Sequence, residues 1–204
     1  MVCQRRQVTR RSVVHSAVCF ALAMLVAATC SLCGTSVQAG AGAPSVEYQV
    51  KAVFLYNFAK FVEWPEAVFS GPDAPIVIGV VGESPFGTAL ELAVKGETVK
   101  GRKLLLKQFS SEDSLTSCHI LFISRSERER IPALLEKLGK APVLTVADSE
   151  GFTTRGGMIN FVLQEKNIRF DIDPGAAERA GLKISSRLLN LPKPARSDPA
   201  REVN

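Results

Sequence analysis

Histidine and cysteine are scarce in this chain of 204 residues, which holds two histidines and five cysteines. Beyond residue 39 only Cys118 and His119 remain. A Ser-His-Asp or Cys-His catalytic pair would need His119, and Cys118 cannot partner it within a strand, where consecutive side chains point to opposite faces. We therefore expect a structural histidine, no zinc or copper site, no cofactor and no enzymatic activity.

Long apolar runs are also lacking. The run near the N-terminus, Ala17–Ala28, has about 12 residues, whereas crossing a bilayer takes about 20. Four arginines precede it, and the small-residue pattern Val37-Gln38-Ala39 follows it. This order predicts a secretory signal peptide over residues 1–39, cleaved so that the exported chain begins near Gly40.

Two other export routes stay open. Cys30 or Cys33 would be the modified residue if the chain were processed as a lipoprotein. The stretch Thr9–Val14 partly resembles a twin-arginine signal. Each route delivers the protein outside the cytoplasm.

An excess of positive charge disappears with the signal peptide. Of the 25 basic residues, Arg5, Arg6, Arg10 and Arg11 lie before residue 39, and none of the 20 acidic residues does. The remaining 21 basic and 20 acidic residues give a net charge of +1. Because nucleic-acid binding needs a concentrated basic face, we expect no nucleic-acid partner.

Cys118 is the only cysteine of the predicted exported chain, so no intramolecular disulfide can form there. Its surroundings, Cys118–Ser124 (CHILFIS), are typical of a core strand. We expect Cys118 to be buried, with an intermolecular bridge as the alternative.

An amphipathic helix is predicted from Ser45 to Trp64, because apolar residues recur there at steps of three and four. Its predicted apolar face consists of Val46, Val50, Val53, Asn57 and Phe61, flanked by Phe54 and Phe58. Lys51, Lys60 and Glu63 fall elsewhere on the helical wheel. Pro65 ends the helix, since the residue before a proline avoids the α region.

Strands and helices alternate after this helix. Predicted strands are Pro75–Gly82, Arg102–Phe109, Cys118–Ser124, Pro142–Asp148 and two within Met158–Ile172, joined near Glu165–Asn167; predicted helices are Phe86–Val94, Ser126–Leu138 with Ser126 as cap, Gly175–Ala180 and a turn capped by Ser185 or Ser186. The pattern predicts one Rossmann-like, three-layer α/β domain over residues 40–192, with a mostly parallel sheet and a late β-hairpin. The tail, residues 193–204, is predicted to be disordered.

The segment Gly151–Phe161, GFTTRGGMINF, follows the last predicted parallel strand. A phosphate cradle would need a helix directly after it, whereas a strand follows, so Gly156 and Gly157 indicate a turn with a positive φ and a close approach. Arg155 and Asn160 either fix this loop or line a crevice at the edge of the sheet. One hypothesis is therefore a small-ligand sensor that binds a metabolite or anion through Arg155, Gly156, Gly157 and Asn160.

Aromatic residues of the first helix support a second hypothesis. Tyr56, Phe58 and Trp64 exceed what one helix face needs to bury, and exposed aromatic residues are typical of protein interfaces. They are candidate contacts of a protein–protein regulator. Burial in the core is the alternative for each.

Four segments occur in series: Lys51–Pro65 (KAVFLYNFAKFVEWP), Pro75–Gly82 (PIVIGVVG), Val143–Leu163 (VLTVADSEGFTTRGGMINFVL) and Leu182–Lys193 (LKISSRLLNLPK). Together they resemble the YfiR-like family of periplasmic regulatory proteins. The likeness covers nearly the whole predicted exported chain, from about Val46 to Leu191.

The resemblance implies a periplasmic, Rossmann-like domain without catalytic activity. The best-known member represses an inner-membrane diguanylate cyclase by binding its periplasmic sensor part, and an outer-membrane lipoprotein relieves the repression by sequestering it. That member is a dimer, and disulfides keep it folded. With Cys118 alone, this chain cannot reproduce that redox dependence of folding. By resemblance we expect a homodimeric regulator in cyclic-di-GMP signalling; the alternative is a ligand sensor that serves a membrane receptor or kinase.

Overall fold

The computed structural model describes residues 45–110 and 113–191. The predicted signal peptide and the predicted disordered tail lie outside these residues. The described part begins with a helix, α1, at Val46–Phe61. Four shorter helices follow: α2 at Ala89–Val94, α3 at Ile131–Leu138, α4 at Pro174–Arg179 and α5 at Ser186–Leu189.

Seven strands form the main sheet. They are β2 at Ile76–Val81, β3 at Thr98–Val99, β4 at Arg102–Phe109, β5 at Ile120–Ile123, β6 at Leu144–Ala147, β7 at Ile159–Gln164 and β8 at Asn167–Ile172. Their order is β3-β4-β2-β5-β6-β7-β8, with antiparallel pairing only at the two ends, β3 with β4 and β7 with β8. The chain is therefore a mixed α/β protein with a mostly parallel sheet, as predicted.

The late hairpin is confirmed. Strands β7 and β8 pair antiparallel from Ile159 with Ile172 to Gln164 with Asn167. The two residues between them, Glu165 and Lys166, have φ values of 50° and 65°. A two-residue turn with positive φ at both positions matches the twist of the flanking strands, which explains why the hairpin closes so tightly.

The side chains of the parallel strands point alternately to the two faces of the sheet and belong to two buried clusters. Ile78, Phe122 and Val146 belong to the cluster that includes residues of α1 and α2. Val81, Leu121 and Ala147 belong to the cluster that includes residues of α3. Because successive side chains of a strand point to opposite faces, both faces of the central strands are buried, which accounts for their continuous apolar sequences.

The predicted orientation of α1 is wrong. The face that packs on the sheet consists of Lys51, Ala52, Leu55, Phe58 and Ala59. Val46, Val50 and Val53, predicted to be buried, are instead 74%, 40% and 49% exposed. The helix has this orientation because Lys51 forms ion pairs with Asp148 at the end of β6 and with Glu47 of the helix itself. In addition, Phe58 stacks against Phe161 with ring centroids 5.7 Å apart.

Helix α1 also ends earlier than predicted. It stops at Phe61, and the next two residues form a short strand, β1, at Val62–Glu63. This strand pairs antiparallel with β9, Lys183–Ile184, far along the chain. The long-range hydrogen bonds of this pair compete with the helix, so Pro65 is not what ends it.

The helix predicted from Ser126 begins later. A 3₁₀ segment, Arg125–Arg130, precedes α3, and Pro132 lies in the first turn of α3, where a missing N–H costs nothing. Ser126 is not the cap, because its hydroxyl accepts the backbone N–H of Glu83 at 2.9 Å. Gly139 ends the helix with a φ of 55°, in line with its predicted position.

Within the described part of the chain, no helix combines the length and the apolar character that crossing a bilayer requires.

Candidate functional site

A crevice opens at the edge of the sheet where β5 and β6 end. Parallel strands bring their carboxyl ends to one edge, which is where α/β proteins commonly bind ligands. The crevice has a volume of about 490 Å³. It is lined by Arg125, Arg128, Glu129, Asp148, Ser149, Glu150 and Arg155.

Asp148, the first residue after β6, is the centre of a buried polar network. Its side chain is 1% exposed, and its Oδ2 accepts hydrogen bonds from Tyr48 Oη at 2.7 Å and from Lys51 Nζ at 2.8 Å. Lys51 is equally buried and also pairs with Glu47, four residues earlier in α1. A charge so deeply buried is tolerated only when it is paired, so this network fixes α1 against the end of β6.

The phenol of Tyr48 lies in the same buried, polar environment as Asp148. Burial, followed by the hydrogen bond to Asp148, raises the pKa of its phenol. The ammonium of Lys51 lies 4.6 Å from the centre of the Tyr48 ring and 5.8 Å from that of Phe161. These ring faces add a favourable environment for the buried cation.

Arg125 and Arg128 present guanidinium groups to the crevice. Arg125 is held through Nε, which donates to the backbone oxygen of Asp148 at 3.2 Å and lies 3.3 Å from its Oδ2. Arg128 is held through Nε by Glu129 at 2.8 Å. Both side chains are more than half exposed, and among the described residues neither has a partner at its terminal nitrogens.

Three buried polar atoms near the ends of β6 and β7 have no hydrogen-bond partner among the described residues. They are Asp148 Oδ1, Ser149 Oγ and Asn160 Oδ1. Buried polar groups are nearly always paired, so unpaired ones mark either stored strain or a missing ligand or water. Two of the three belong to residues that line the crevice.

Arg155, the arginine predicted to bind a ligand, lines the crevice but is occupied. Its Nε donates to Gly151 O at 3.2 Å, its Nη2 to Glu150 O at 2.8 Å and its Nη1 to Arg128 O at 3.4 Å. With each nitrogen on a backbone carbonyl, Arg155 holds the loop in shape. Arg155 therefore has both of the roles that the sequence left open, since it fixes the loop and also lines the crevice.

The two adjacent glycines of the segment Gly151–Phe161, Gly156 and Gly157, serve different purposes. Gly156 has a φ of 97° and ends a 3₁₀ turn, Thr153–Arg155. A Cβ on Gly157 would lie 2.2 Å from the ring of Phe152, so this residue permits a close approach. The predicted turn with one positive φ and one close contact is therefore present, and neither glycine lines the crevice.

Asn160 lies one strand away, in β7, where it is in register with Ala147. It is 5% exposed and is not among the residues that line the crevice. Strand alternation places it on the face opposite to that of Asp148. The structure thus separates Asn160 and the two glycines from the crevice that Arg155 lines.

The aromatic candidates are dispersed. Phe58 is fully buried, which is the alternative that the sequence left open for it. Tyr56 is half-buried and bonds to Glu97, with Lys60 Nζ 4.0 Å from the centre of its ring. Trp64 is half-buried and donates from Nε1 to His119 O at 3.2 Å, so both remain partly accessible but partnered.

His119 is bound into the structure. Its Nδ1 accepts the backbone N–H of Val77 at 3.0 Å, and its ring stacks on Phe69 with centroids 4.7 Å apart. Burial, followed by the nearby charge of Arg102, lowers its pKa. These contacts are those of a structural histidine.

Cys118 is buried, as predicted, with its Sγ donating to Leu115 O at 3.2 Å. Burial raises the pKa of its thiol to about 12, so it is not a reactive thiolate at neutral pH. It is extended but precedes β5 rather than lying inside that strand. Among the described residues, no group of three or more His, Cys, Asp or Glu side chains could hold a metal ion.

A second surface lies between the outer face of α1 and the β7–β8 hairpin. We call it the valine groove; it has a volume of about 600 Å³. It is lined by Val46, Glu47, Val50, Phe54, Leu163, Lys166, Asn167, Ile168 and Arg169. Leu163 is 51% exposed, so an apolar surface remains uncovered by the described residues.

Sequence reasoning missed the network of Tyr48, Lys51 and Asp148 and the arginines Arg125 and Arg128. One signal was present: Lys51 lies four residues before Leu55 and four after Glu47, on the strip that the helix buries. A second was the position of Arg125 and Asp148, each at the carboxyl end of a predicted parallel strand.

The model of the YfiR/HmsC-like family matches residues 48–193, more than half of the chain, and the chain belongs to this family. No curated protein matches the chain at significant similarity. The matched region includes α1 from Tyr48 onward, the crevice and the hairpin. Family membership indicates a periplasmic regulatory protein rather than an enzyme.

Proposed function

We propose that the protein represses an inner-membrane signalling protein of the diguanylate cyclase type by binding its periplasmic part. Family membership supports regulation in the periplasm. The valine groove supports binding of a protein, because monomeric soluble proteins rarely expose contiguous apolar surface without a use.

The valine groove carries the proposal. Val46 and Val50 belong to α1, and Leu163 and Ile168 belong to the hairpin, so two elements distant in sequence present one apolar surface. Helix α1 is fixed from behind by the Lys51–Asp148 ion pair. A rigid apolar surface loses little conformational entropy on binding, which favours affinity.

The rim of the groove gives the expected chemistry of the partner. Lys166 and Arg169 lie on the hairpin side, and Glu47 on the helix side is already paired with Lys51. The available charge is therefore positive. We expect the partner segment to be apolar with acidic residues beside it, and association to slow at high salt.

Two further interactions fit the same surface. A second copy of this chain would cover the exposed valines in a homodimer, and an outer-membrane lipoprotein that occupied the groove would release the cyclase. Competition for one surface would link these states through their relative affinities.

The test is genetic and uses a matched control. Deleting the gene should raise cyclic-di-GMP in the cell, and the wild-type gene should restore the lower concentration. Leu163→Glu should fail to restore it, because a charge is introduced into the groove. Leu92→Glu should restore it, since Leu92 is 69% exposed on α2 and does not line the groove.

Two results would reject the proposal. One is an unchanged cyclic-di-GMP concentration on deletion. The other is equal complementation by Leu163→Glu and Leu92→Glu at equal protein levels. A repressor that needs the groove cannot give either result.

A second candidate function is a periplasmic sensor that binds a small ligand and serves a membrane receptor or kinase. The unpartnered polar atoms of the crevice favour it. The two functions are compatible, because a ligand can shift the population of a state that binds a protein partner.

A further inference from the structure

We propose that the crevice beyond β5 and β6 binds a small anion, a carboxylate or a phosphate, through Arg125, Arg128 and Ser149. The inference deepens the sensor candidate by naming its site and ligand class. It does not require that the protein bind a cyclase, and its test uses purified protein alone.

The first step is the arrangement of the two arginines. Arg125 is anchored through Nε by Asp148, and Arg128 through Nε by Glu129. An arginine held in this way keeps its two terminal nitrogens for another acceptor, in the planar geometry that suits carboxylate and phosphate oxygens. Two such guanidinium groups in one crevice can both donate hydrogen bonds to one anion.

The second step concerns Ser149. This residue is 7% exposed, it lines the crevice, and its hydroxyl has no partner among the described residues. A buried hydroxyl without a partner is destabilising in the empty protein. An anion in the crevice would accept a hydrogen bond from this hydroxyl and remove that cost.

The third step is the supporting role of Arg155. Its hydrogen bonds to Gly151 O, Glu150 O and Arg128 O tie the loop after β6 to the backbone beside Arg128. The crevice is thus shaped before a ligand arrives, which lowers the entropic cost of binding. Arg155 is a positioning residue here, not a ligand contact.

The acidic residues of the crevice set its selectivity. Asp148 is neutralised by Lys51 and Arg125, whereas the carboxylate of Glu129, on Nε of Arg128, lines the crevice and repels an anion. The two guanidinium groups attract an anion with two charges more strongly than one with a single charge. We therefore expect phosphate and dicarboxylates to bind more tightly than acetate.

The experiment is isothermal titration calorimetry, with thermal shift as a second readout, on the exported protein at constant ionic strength. The probes are orthophosphate, glycerol 3-phosphate and succinate at about pH 8, where each is mainly doubly charged, with acetate as the singly charged control. The inference predicts saturable binding of at least one doubly charged probe and a rise in Tm with its concentration. Tighter binding of the phosphates or of succinate identifies which source of negative charge the site prefers.

Variants separate a site from general charge attraction. Arg128→Gln should weaken binding by about tenfold or more, because a charged hydrogen bond is lost. Glu129→Gln should strengthen it, because a negative charge leaves the crevice while the amide oxygen can still accept from Nε of Arg128. Arg187→Gln, at an exposed arginine of α5 outside the crevice, should leave the affinity unchanged.

Ser149→Ala gives the sharpest outcome, since its two effects have opposite signs. The empty variant should be at least as stable as the wild type, because an unpaired buried hydroxyl is removed, while binding weakens by about fivefold. If no doubly charged probe binds saturably, the inference is wrong. It is equally wrong if Arg128→Gln and Ser149→Ala bind the probe as the wild type does.

Discussion

Helix α1 buries a charged residue and leaves a stripe of valines exposed, whereas most surface helices bury apolar residues and expose charged ones. The face on the sheet carries Lys51, whose side chain is 1% exposed, whereas the face toward solvent carries Val46, Val50 and Val53. A charge is inside and a valine stripe is outside. The difference teaches that a helix is oriented by all its partners together, not by its most apolar stripe alone.

Each face has its own energetic logic. On the inner face, Leu55 and Phe58 are fully buried, and each contributes roughly 1.5–3 kcal/mol through the hydrophobic effect. Lys51 is tolerated beside them because Asp148 and Glu47 compensate its charge. On the outer face, the exposed valines cost little in the free protein and would be buried in the proposed complex with a partner.

The largest effect should come from breaking the inner ion pair. Lys51→Met keeps the length of the side chain and removes its charge, so that Asp148 stays buried with fewer partners. We expect a loss of about 3–5 kcal/mol in the free energy of unfolding, measured by urea denaturation. A loss below about 1 kcal/mol would mean that the pair does not anchor α1.

A double substitution should recover much of this loss. Lys51→Met combined with Asp148→Asn removes both charges and leaves an acceptor for Tyr48. Because the single change is costly mainly through the orphaned carboxylate, we expect a coupling energy of about 2 kcal/mol in the double-mutant cycle. Simple additivity of the two changes would contradict a direct pair.

Tyr48→Phe tests the third member of the network. The phenol donates to Asp148 at 2.7 Å, and removing it takes one donor from a buried carboxylate. We expect a loss of about 1–2 kcal/mol at neutral pH, since the ring remains and only the hydrogen bond goes. Equal stability of the two proteins would show that water replaces the phenol without cost.

Alkaline pH should reduce the advantage of the wild type over Tyr48→Phe. The pKa of Tyr48 is raised in the folded protein by burial and by Asp148, so the unfolded chain loses the phenol proton first, near pH 10. The folded state is then disfavoured as pH rises above about 10. Stability curves between pH 8 and 11 should converge; a constant difference would contradict the assignment.

The smallest effect is expected on the outer face. Val53→Ser should change the free energy of unfolding by no more than about 0.5 kcal/mol, because Val53 is 49% exposed. Leu55→Ala, two residues away on the inner face, should cost about 2–5 kcal/mol. Similar losses for the two variants would mean that α1 lies as its valine stripe first suggested.

The main elements of the fold could be predicted from the sequence because each has a local signal. Strand β2 is a β-branched run, and the two strands around Glu165 and Lys166 are apolar with a polar turn between them. The pair β1–β9 could not be predicted, since a strand of two residues has no recognisable pattern. Its hydrogen bonds join two segments that are far apart in the sequence and that only the complete fold brings together.

The face of α1 could not be predicted because apolar residues surround most of the helix. Periodicity identifies a valine stripe and a Leu55–Phe58 stripe without deciding which one packs inside. The deciding contact joins Lys51 to a carboxylate 97 residues away. No local rule indicates that a lysine will be buried by such a partner.

The candidate site was found in part. The loop after β6 and Arg155 were identified from glycine chemistry and strand topology, and the crevice does lie there. Arg125 and Arg128 were missed, because Ser126 and its neighbours look like the solvated start of a helix. They line the same crevice as Ser149 because β5 and β6 are adjacent in the sheet.

One labelling measurement tests most directly whether the outer face of α1 is the binding surface. Cys118 is buried and is the only cysteine of residues 40–204, so in protein that begins at residue 40 a single Val50→Cys or Leu92→Cys substitution supplies the reactive thiol. We predict that a maleimide labels both variants in the free protein. The periplasmic part of the proposed cyclase partner should protect only Val50→Cys. Slow labelling of free Val50→Cys, or equal labelling of both variants with and without the cyclase segment, would contradict the account.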